Sequence, residues 1–153
     1  MNKSISGFDK WGLEGFILDA IIERGWKEPT EIQIESVPPA RKGRDIVGQA
    51  RTGSGKTAAF GIPILEKCSP TGSIQGIILC PTRELAVQVS GELSILQGKK
   101  GLNIRTVYGG TDIEKQAKNL QKGADIVVGT PGRVIDLSLT HISEPTRQAS
   151  ISY

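Results

Sequence analysis

Ala50-Arg51-Thr52-Gly53-Ser54-Gly55-Lys56-Thr57 is a glycine-rich turn that ends in Gly-Lys-Thr. Residues of these types at this spacing can hold a polyphosphate. Small residues let successive backbone N–H groups curl around phosphate oxygens, and a helix beginning at Lys56 adds the positive end of its dipole. Lys56 supplies a mobile positive charge to the outer phosphates, and Thr57 a hydroxyl ligand for Mg²⁺. The turn follows Asp45-Ile46-Val47-Gly48-Gln49, a strand-like run, and leads into Ala58-Ala59-Phe60, which can start a helix. Strand, turn and helix in that order define a nucleoside-triphosphate site. The general phosphate-loop pattern places a glycine five residues before the Gly of Gly-Lys, and Ala50 stands there instead.

The elements that must position this loop are readable from periodicity. Leu13, Phe16, Ile17, Ala20 and Ile21 recur at helical spacing, and Gly25 offers a stop. Thr30 and Gln33 form a capping-box pair opening a second helix, which Pro38-Pro39 is expected to limit. From Asp45 onward the pattern alternates. Strands are expected at 46–49, 74–80, 103–108 and 125–129, and helices at 56–67, 83–97 and 112–121. Leu85, Val89, Leu93 and Leu96 trace an apolar stripe along the second of these helices. Alternating strands and helices predict an α/β fold with a mainly parallel sheet and helices on both faces. Ligands of such sheets gather at the carboxyl ends of the strands, and three further motifs fall there.

Pro81-Thr82-Arg83 follows the strand ending at Cys80, Gly109-Gly110 the strand ending at Tyr108, and Thr130-Pro131-Gly132-Arg133 the strand ending at Gly129. Each can be an ordinary cap or turn. Together they form a row of phosphate-sized devices, such as a nucleic-acid strand requires.

Composition limits the alternatives. The chain has 153 residues, 37% hydrophobic and 23% charged, with a formal net charge of +3. That is enough for one domain with a core, and no run has the apolar length to span a bilayer. Met1–Gly7 carries one positive charge but no apolar stretch behind it, so a secretory signal is not expected. Cys68 and Cys80 lack metal-ligand spacing and read as buried thiols, consistent with a cytoplasmic protein. His141, the single histidine, receives no role.

The ordered set Gly25-Trp26-Lys27-Glu28-Pro29-Thr30-Glu31-Ile32-Gln33, Ala50–Thr57, Pro81–Ala86, Gly109-Gly110 and Thr130–Arg133 resembles the first RecA-like domain of DEAD-box RNA helicases. The resemblance covers about Phe8 to Asp136, and A-x-T-G-S-G-K-T is the loop form found in helicases. It implies ATP and Mg²⁺ as cofactors, with Lys56 and Thr57 in the catalytic machinery. It also implies that Gln33 reads the adenine edge and that Trp26 stacks on the base. Pro81, Thr82, Arg83, Gly109, Gly110 and Thr130–Arg133 would lie against the backbone of RNA, with no choice of sequence.

Two features depart from that family. The Asp-Glu-Ala-Asp motif, expected on a strand soon after Arg133, is not in the sequence, and neither is the Ser-Ala-Thr motif or a second RecA-like domain. The sheet is therefore expected to be incomplete towards its C-terminal end, and the chain to bind nucleotide without turnover. Leu137–Tyr153 resembles a translated sequencing-library adaptor and is expected to be a non-native, disordered tail; a natural polar tail is the alternative. Against the helicase reading stands a self-sufficient ATP- or RNA-binding domain that never hydrolyses. A phosphate-loop subunit of a transporter explains neither Gln33 nor the paired Pro-Thr-Arg and Pro-Gly-Arg elements.

Overall fold

A computed structural model describes residues 6–51, 53–140 and 150–152. The chain divides into two compact units, Met1–Lys67 with Ile95–Lys100, and Cys68–Ser94 with Gly101–Tyr153. Among the described residues no helix is long and apolar enough to cross a membrane.

The first unit is helical. A 3-10 turn at Gly7–Trp11 precedes α1 (Gly15–Glu23), α2 (Glu31–Arg41) and α3 (Lys56–Lys67). Gly25, at φ 75°, ends α1 as expected: its N–H bonds Ile22 O, and the Trp26 N–H reaches back to Ile21 O. Thr30 caps α2, and α2 packs on α3. Lys100 Nζ reaches the last carbonyls of α3, Leu65 O at 2.6 Å and Glu66 O at 3.2 Å, and also pairs with Glu14. A cation at a helix C-terminus opposes the negative end of the dipole.

Two expectations fail in this unit. Pro38 and Pro39 do not limit α2 but lie inside it, the helix running to Arg41. Their rings fit helical φ, and the carbonyls they leave without donors belong to Ile34 and Glu35, both exposed residues that water can serve. Asp45–Gln49 is not a strand. A strand exists only through a ladder, and this unit contains no other β-segment among the described residues to pair with it. Val47 is consequently fully exposed.

The second unit carries the sheet. β1 (Gly76–Leu79), β2 (Ile104–Val107), β3 (Ile126–Gly129) and β4 (Ser150–Ser152) are ordered β2-β3-β1-β4, every pair parallel. α4 (Arg83–Leu96), α5 (Ile113–Gln121) and α6 (Pro131–Thr140) alternate with the strands. β3 is buried at all four residues, as an inner strand of a parallel sheet should be. Val107, Ala117, Leu120, Ala124, Val127 and Leu137 form one apolar cluster between strands and helices. Leu137 is thus a core residue, and α6 continues past it to Thr140. The expected disordered tail from Leu137 does not hold for Leu137–Thr140 or for β4. Residues 141–149 and Tyr153 lie outside the described residues, His141 among them.

Asp125 anchors the N-terminal end of the sheet. It is completely buried; Oδ1 accepts the N–H groups of Thr71 at 3.0 Å and Gly72 at 2.7 Å, and Oδ2 that of Asn103 at 2.8 Å. One carboxylate thereby holds the loops entering β1 and β2 against β3. Asp125→Ala is expected to lower the unfolding free energy by about 3 kcal/mol, since three backbone donors lose an ionic acceptor. Asp125→Asn, which keeps one oxygen, should cost less; urea melts of the two variants check the order.

Candidate functional site

The phosphate loop lies in the first unit. Gly53 and Gly55 have φ of 81° and 87°, so the turn is built on the left-handed conformation that favours glycine. The Ser54 N–H bonds Arg51 O, α3 begins at Lys56, and the Ala59 N–H reaches Gly55 O at 3.1 Å. Ala50, Ser54, Gly55, Lys56 and Thr57 are half-buried, while Arg51 and Gly53 are exposed; Thr52 lies outside the described residues. The loop therefore feeds straight into a helix whose first two residues are the predicted phosphate and metal partners.

Gln33 is 2% exposed. Its Oε1 accepts the Thr30 N–H at 3.0 Å, closing the capping pair, and its Nε2 donates to Gly55 O at 3.1 Å. One amide thus joins the start of α2 to the phosphate loop. The contact is tight: a Cβ on Gly55 would stand 2.4 Å from Gln33 Nε2 and 3.0 Å from Thr30 Oγ1. Glycine is required at Gly55 twice over, by φ and by space. Trp26 is half-buried, stacked with Phe8 at a centroid distance of 6.5 Å, with the Arg24 guanidinium 4.6 Å from its ring centre. The ring is held as part of an aromatic and cationic cluster that the sequence motifs did not mark.

The second unit brings the other three motifs to one edge. Leu79 of β1 and Val107 of β2 both register against Gly129 of β3, so the three strands end abreast. Neighbouring strands lie about 4.8 Å apart, and Pro81, Gly109 and Pro131 follow side by side. Gly129 permits this closeness: a Cβ there would meet Val107 O at 2.6 Å and Val134 Cγ2 at 2.8 Å. Thr82 Oγ1 accepts the Leu85 N–H at 3.2 Å and caps α4; Thr130 O accepts the Val134 N–H at 3.0 Å, with Pro131 at the first position of α6. Pro81, Thr82, Arg83, Gly109, Gly110, Pro131 and Gly132 are exposed, and Thr130 and Arg133 half-buried.

Tyr108 and Gln116, which no motif singled out, bind this edge together. The Arg83 guanidinium lies 4.5 Å from the Tyr108 ring centre. Arg133 Nη1 donates to Thr111 O at 3.1 Å and to Gln116 Oε1 at 3.0 Å. A polar residue on a helix gives no such signal in sequence; only the tertiary contact reveals it. Burial raises the Cys80 thiol above its ordinary pKa, consistent with an inert buried sulfur.

With a glycine-rich loop braced by Gln33 and a parallel sheet whose strand ends align three arginine- or glycine-bearing turns, the architecture is that of a RecA-like α/β domain. Residues 30–151 match the family described as DEAD/DEAH box helicase, and the chain belongs to that family. It is 50% identical over 131 residues to the DEAD-box ATP-dependent RNA helicase CshA of Streptococcus pneumoniae serotype 4, covering 85% of this chain and 25% of that protein. It is 46% identical over 140 residues to CshA of Bacillus cereus, covering 91% and 26%. The chain therefore spans about a quarter of the length of the curated relatives it matches. Among solved structures, a DEAD box protein from Methanococcus jannaschii superposes with a TM-score of 0.81 at 48% identity, covering 86% of this chain and 36% of that one. A hypothetical ATP-dependent RNA helicase from Sulfolobus tokodaii gives 0.73 at 40% identity, covering 82% and 36%.

Gly55→Ala is expected to destabilise the protein by about 2–3 kcal/mol, combining backbone strain with displacement of the Gln33 amide. Gly53→Ala, with a similar φ but no heavy atom within 4 Å of the added Cβ, should cost only about 1–2 kcal/mol. Thermal or urea denaturation of the pair isolates the Gln33 contact.

Proposed function

We propose that this chain is the front part of an ATP-dependent RNA helicase acting in the cytoplasm, and that in its present extent it binds ATP without turning it over. The observation that carries the reading is the Gln33–Gly55 bond. A buried amide tied to the phosphate loop couples what occupies the base end of the site to the backbone that cradles phosphates.

Ala50, Arg51, Thr52, Gly53, Ser54 and Gly55 would surround the polyphosphate with backbone N–H groups, Lys56 would pair with its outer oxygens, and Thr57 would share in holding Mg²⁺. The loop conformation fits that group, because its positive-φ glycines and the α3 N-terminus form the anion-binding arrangement phosphates use. Bound Mg²⁺ would neutralise charge on the phosphates. Gln33 would read the adenine edge and Trp26 would stack on the base, with its Arg24 contact shifting to admit it.

Pro81–Arg83, Gly109-Gly110 and Thr130–Arg133 would track the RNA backbone along the sheet edge. The carboxylates that activate water are not in the sequence, so hydrolysis and duplex separation belong to a longer protein. The presence of β4 beside β1 favours one further reading, a self-sufficient ATP- or RNA-binding domain that never hydrolyses.

Binding of fluorescent ATP and GTP analogues tests the site. ATP is expected to bind more tightly than GTP, with Gln33→Ala erasing the preference. Lys56→Ala should weaken both by about tenfold to a hundredfold, the loss of a charge-assisted contact. Equal affinity for the two nucleotides in the folded wild-type chain would refute the adenine site. RNA-stimulated ATPase by the 153 residues alone would refute the assignment of turnover to a longer protein.

A further inference from the structure

The Gly109-Gly110 turn is exposed, and Gly110 has φ 81°. A turn of this kind is intrinsically loose, because glycine loses more conformational freedom on ordering than any other residue. Here both of its flanks are held by one side chain. Gln116 Nε2 donates to Tyr108 O at 3.0 Å on the strand side and to Thr111 Oγ1 at 2.7 Å on the helix side. The same amide's Oε1 accepts Arg133 Nη1 at 3.0 Å, and that nitrogen also donates to Thr111 O at 3.1 Å. The donor and acceptor capacity of a single glutamine thus joins two elements separated in sequence, the two-glycine turn and the arginine of Thr130–Arg133. Tyr108 extends the connection to Arg83 through its ring.

A guanidinium has five N–H groups, and the two internal bonds use Nη1 alone. They fix the plane of the fork. A fixed fork loses less freedom when it meets a phosphate than a free arginine does, and its geometry suits paired phosphate oxygens. The Gln116 amide is half-buried and belongs to none of the motif residues.

We propose that Gln116 is a positioning residue for RNA backbone binding: it holds the Gly109-Gly110 turn and the Arg133 guanidinium in one rigid arrangement before a phosphate arrives. The proposal rests on the RNA reading above. It assigns Gln116 no contact with RNA, only control of two groups that make contact. Preorganisation of this kind raises affinity by removing an ordering cost that binding would otherwise carry.

The test is the affinity of the 153-residue chain for a fluorescein-labelled oligouridine, measured by anisotropy over a range of KCl concentrations. Variants are Gln116→Ala, Gln116→Met, Arg133→Ala, and Gln116→Ala combined with Arg133→Ala. Gln116→Met keeps the helix and its packing without the hydrogen bonds, so it reports even if the alanine variant folds poorly. Arg133→Ala is expected to weaken binding and to reduce the slope of log affinity against log salt by about 0.7, one phosphate contact on a single strand. Both Gln116 variants should weaken binding about fivefold, which corresponds to about 1 kcal/mol, the net worth of one ordinary hydrogen bond. Gln116→Ala should cost less in the Arg133→Ala background than alone, keeping only the part exerted through the Gly109-Gly110 turn.

A full fivefold loss that persists without Arg133 would overturn the positioning of Arg133, since none of the effect would then run through its guanidinium. Unchanged affinity in a folded Gln116→Met chain would overturn it too. Failure of the wild-type chain to bind oligouridine at low salt, or an Arg133→Ala variant that binds as well as wild type, would instead remove the RNA reading itself.

Discussion

The parallel ladder of β1, β3 and β2 brings Leu79, Gly129 and Val107 abreast, and the second unit is arranged around that alignment. In a parallel sheet all strands end on the same side, so the turns that follow them share one edge. Close register demands a small residue where the strands converge, and Gly129 meets that demand because Val107 and Val134 occupy the space a side chain would need. At the opposite end Asp125 fixes the entry of two loops with one carboxylate. The sheet is therefore pinned at both ends, by an absent side chain at one and a buried charge at the other. Between them the apolar cluster around Val127 and Leu137 supplies non-directional burial.

Backbone geometry and polar pairing carry the phosphate loop in the first unit. Positive φ at Gly53 and Gly55 aims the turn into α3, and the Gln33 amide fills the space beside Gly55. Gln33 can do this because the capping pair with Thr30 already fixes its oxygen. Its burial makes it costly to leave either end of the amide unpaired. A residue with this many fixed partners is an effective link between the start of α2 and the glycine-rich loop. The same logic recurs in Gln116, whose amide also binds both a turn and a distant element.

Much of this was legible beforehand because it depends on local chemistry. The loop Ala50–Thr57, the stop at Gly25, the Thr30–Gln33 cap and the three strand-end turns follow from residue types at short spacing. β1, β2 and β3 appeared where segments rich in Ile and Val predicted strands. Local rules misled at Pro38-Pro39, where helical φ and exposed carbonyls let α2 continue. They also misled at Asp45–Gln49, since strand propensity without a neighbouring strand yields no ladder. From Leu137 resemblance to a translated adaptor suggested a disordered tail, whereas α6 runs on to Thr140 with Leu137 buried.

By itself, then, the sequence determined the chemistry available: a glycine-rich turn ending in Gly-Lys-Thr, a capping glutamine, and three turns built of proline, glycine, threonine and arginine. Those depend on residues a few positions apart, whose geometry the backbone dictates. Tertiary structure alone decided which of them act together. It set Gln33 against Gly55, Arg83 on Tyr108, and Arg133 on Gln116, contacts between residues 17 to 25 positions apart. Hydrogen bonds and ring contacts of that span depend on how strands and helices pack, and no short-range pattern encodes the packing.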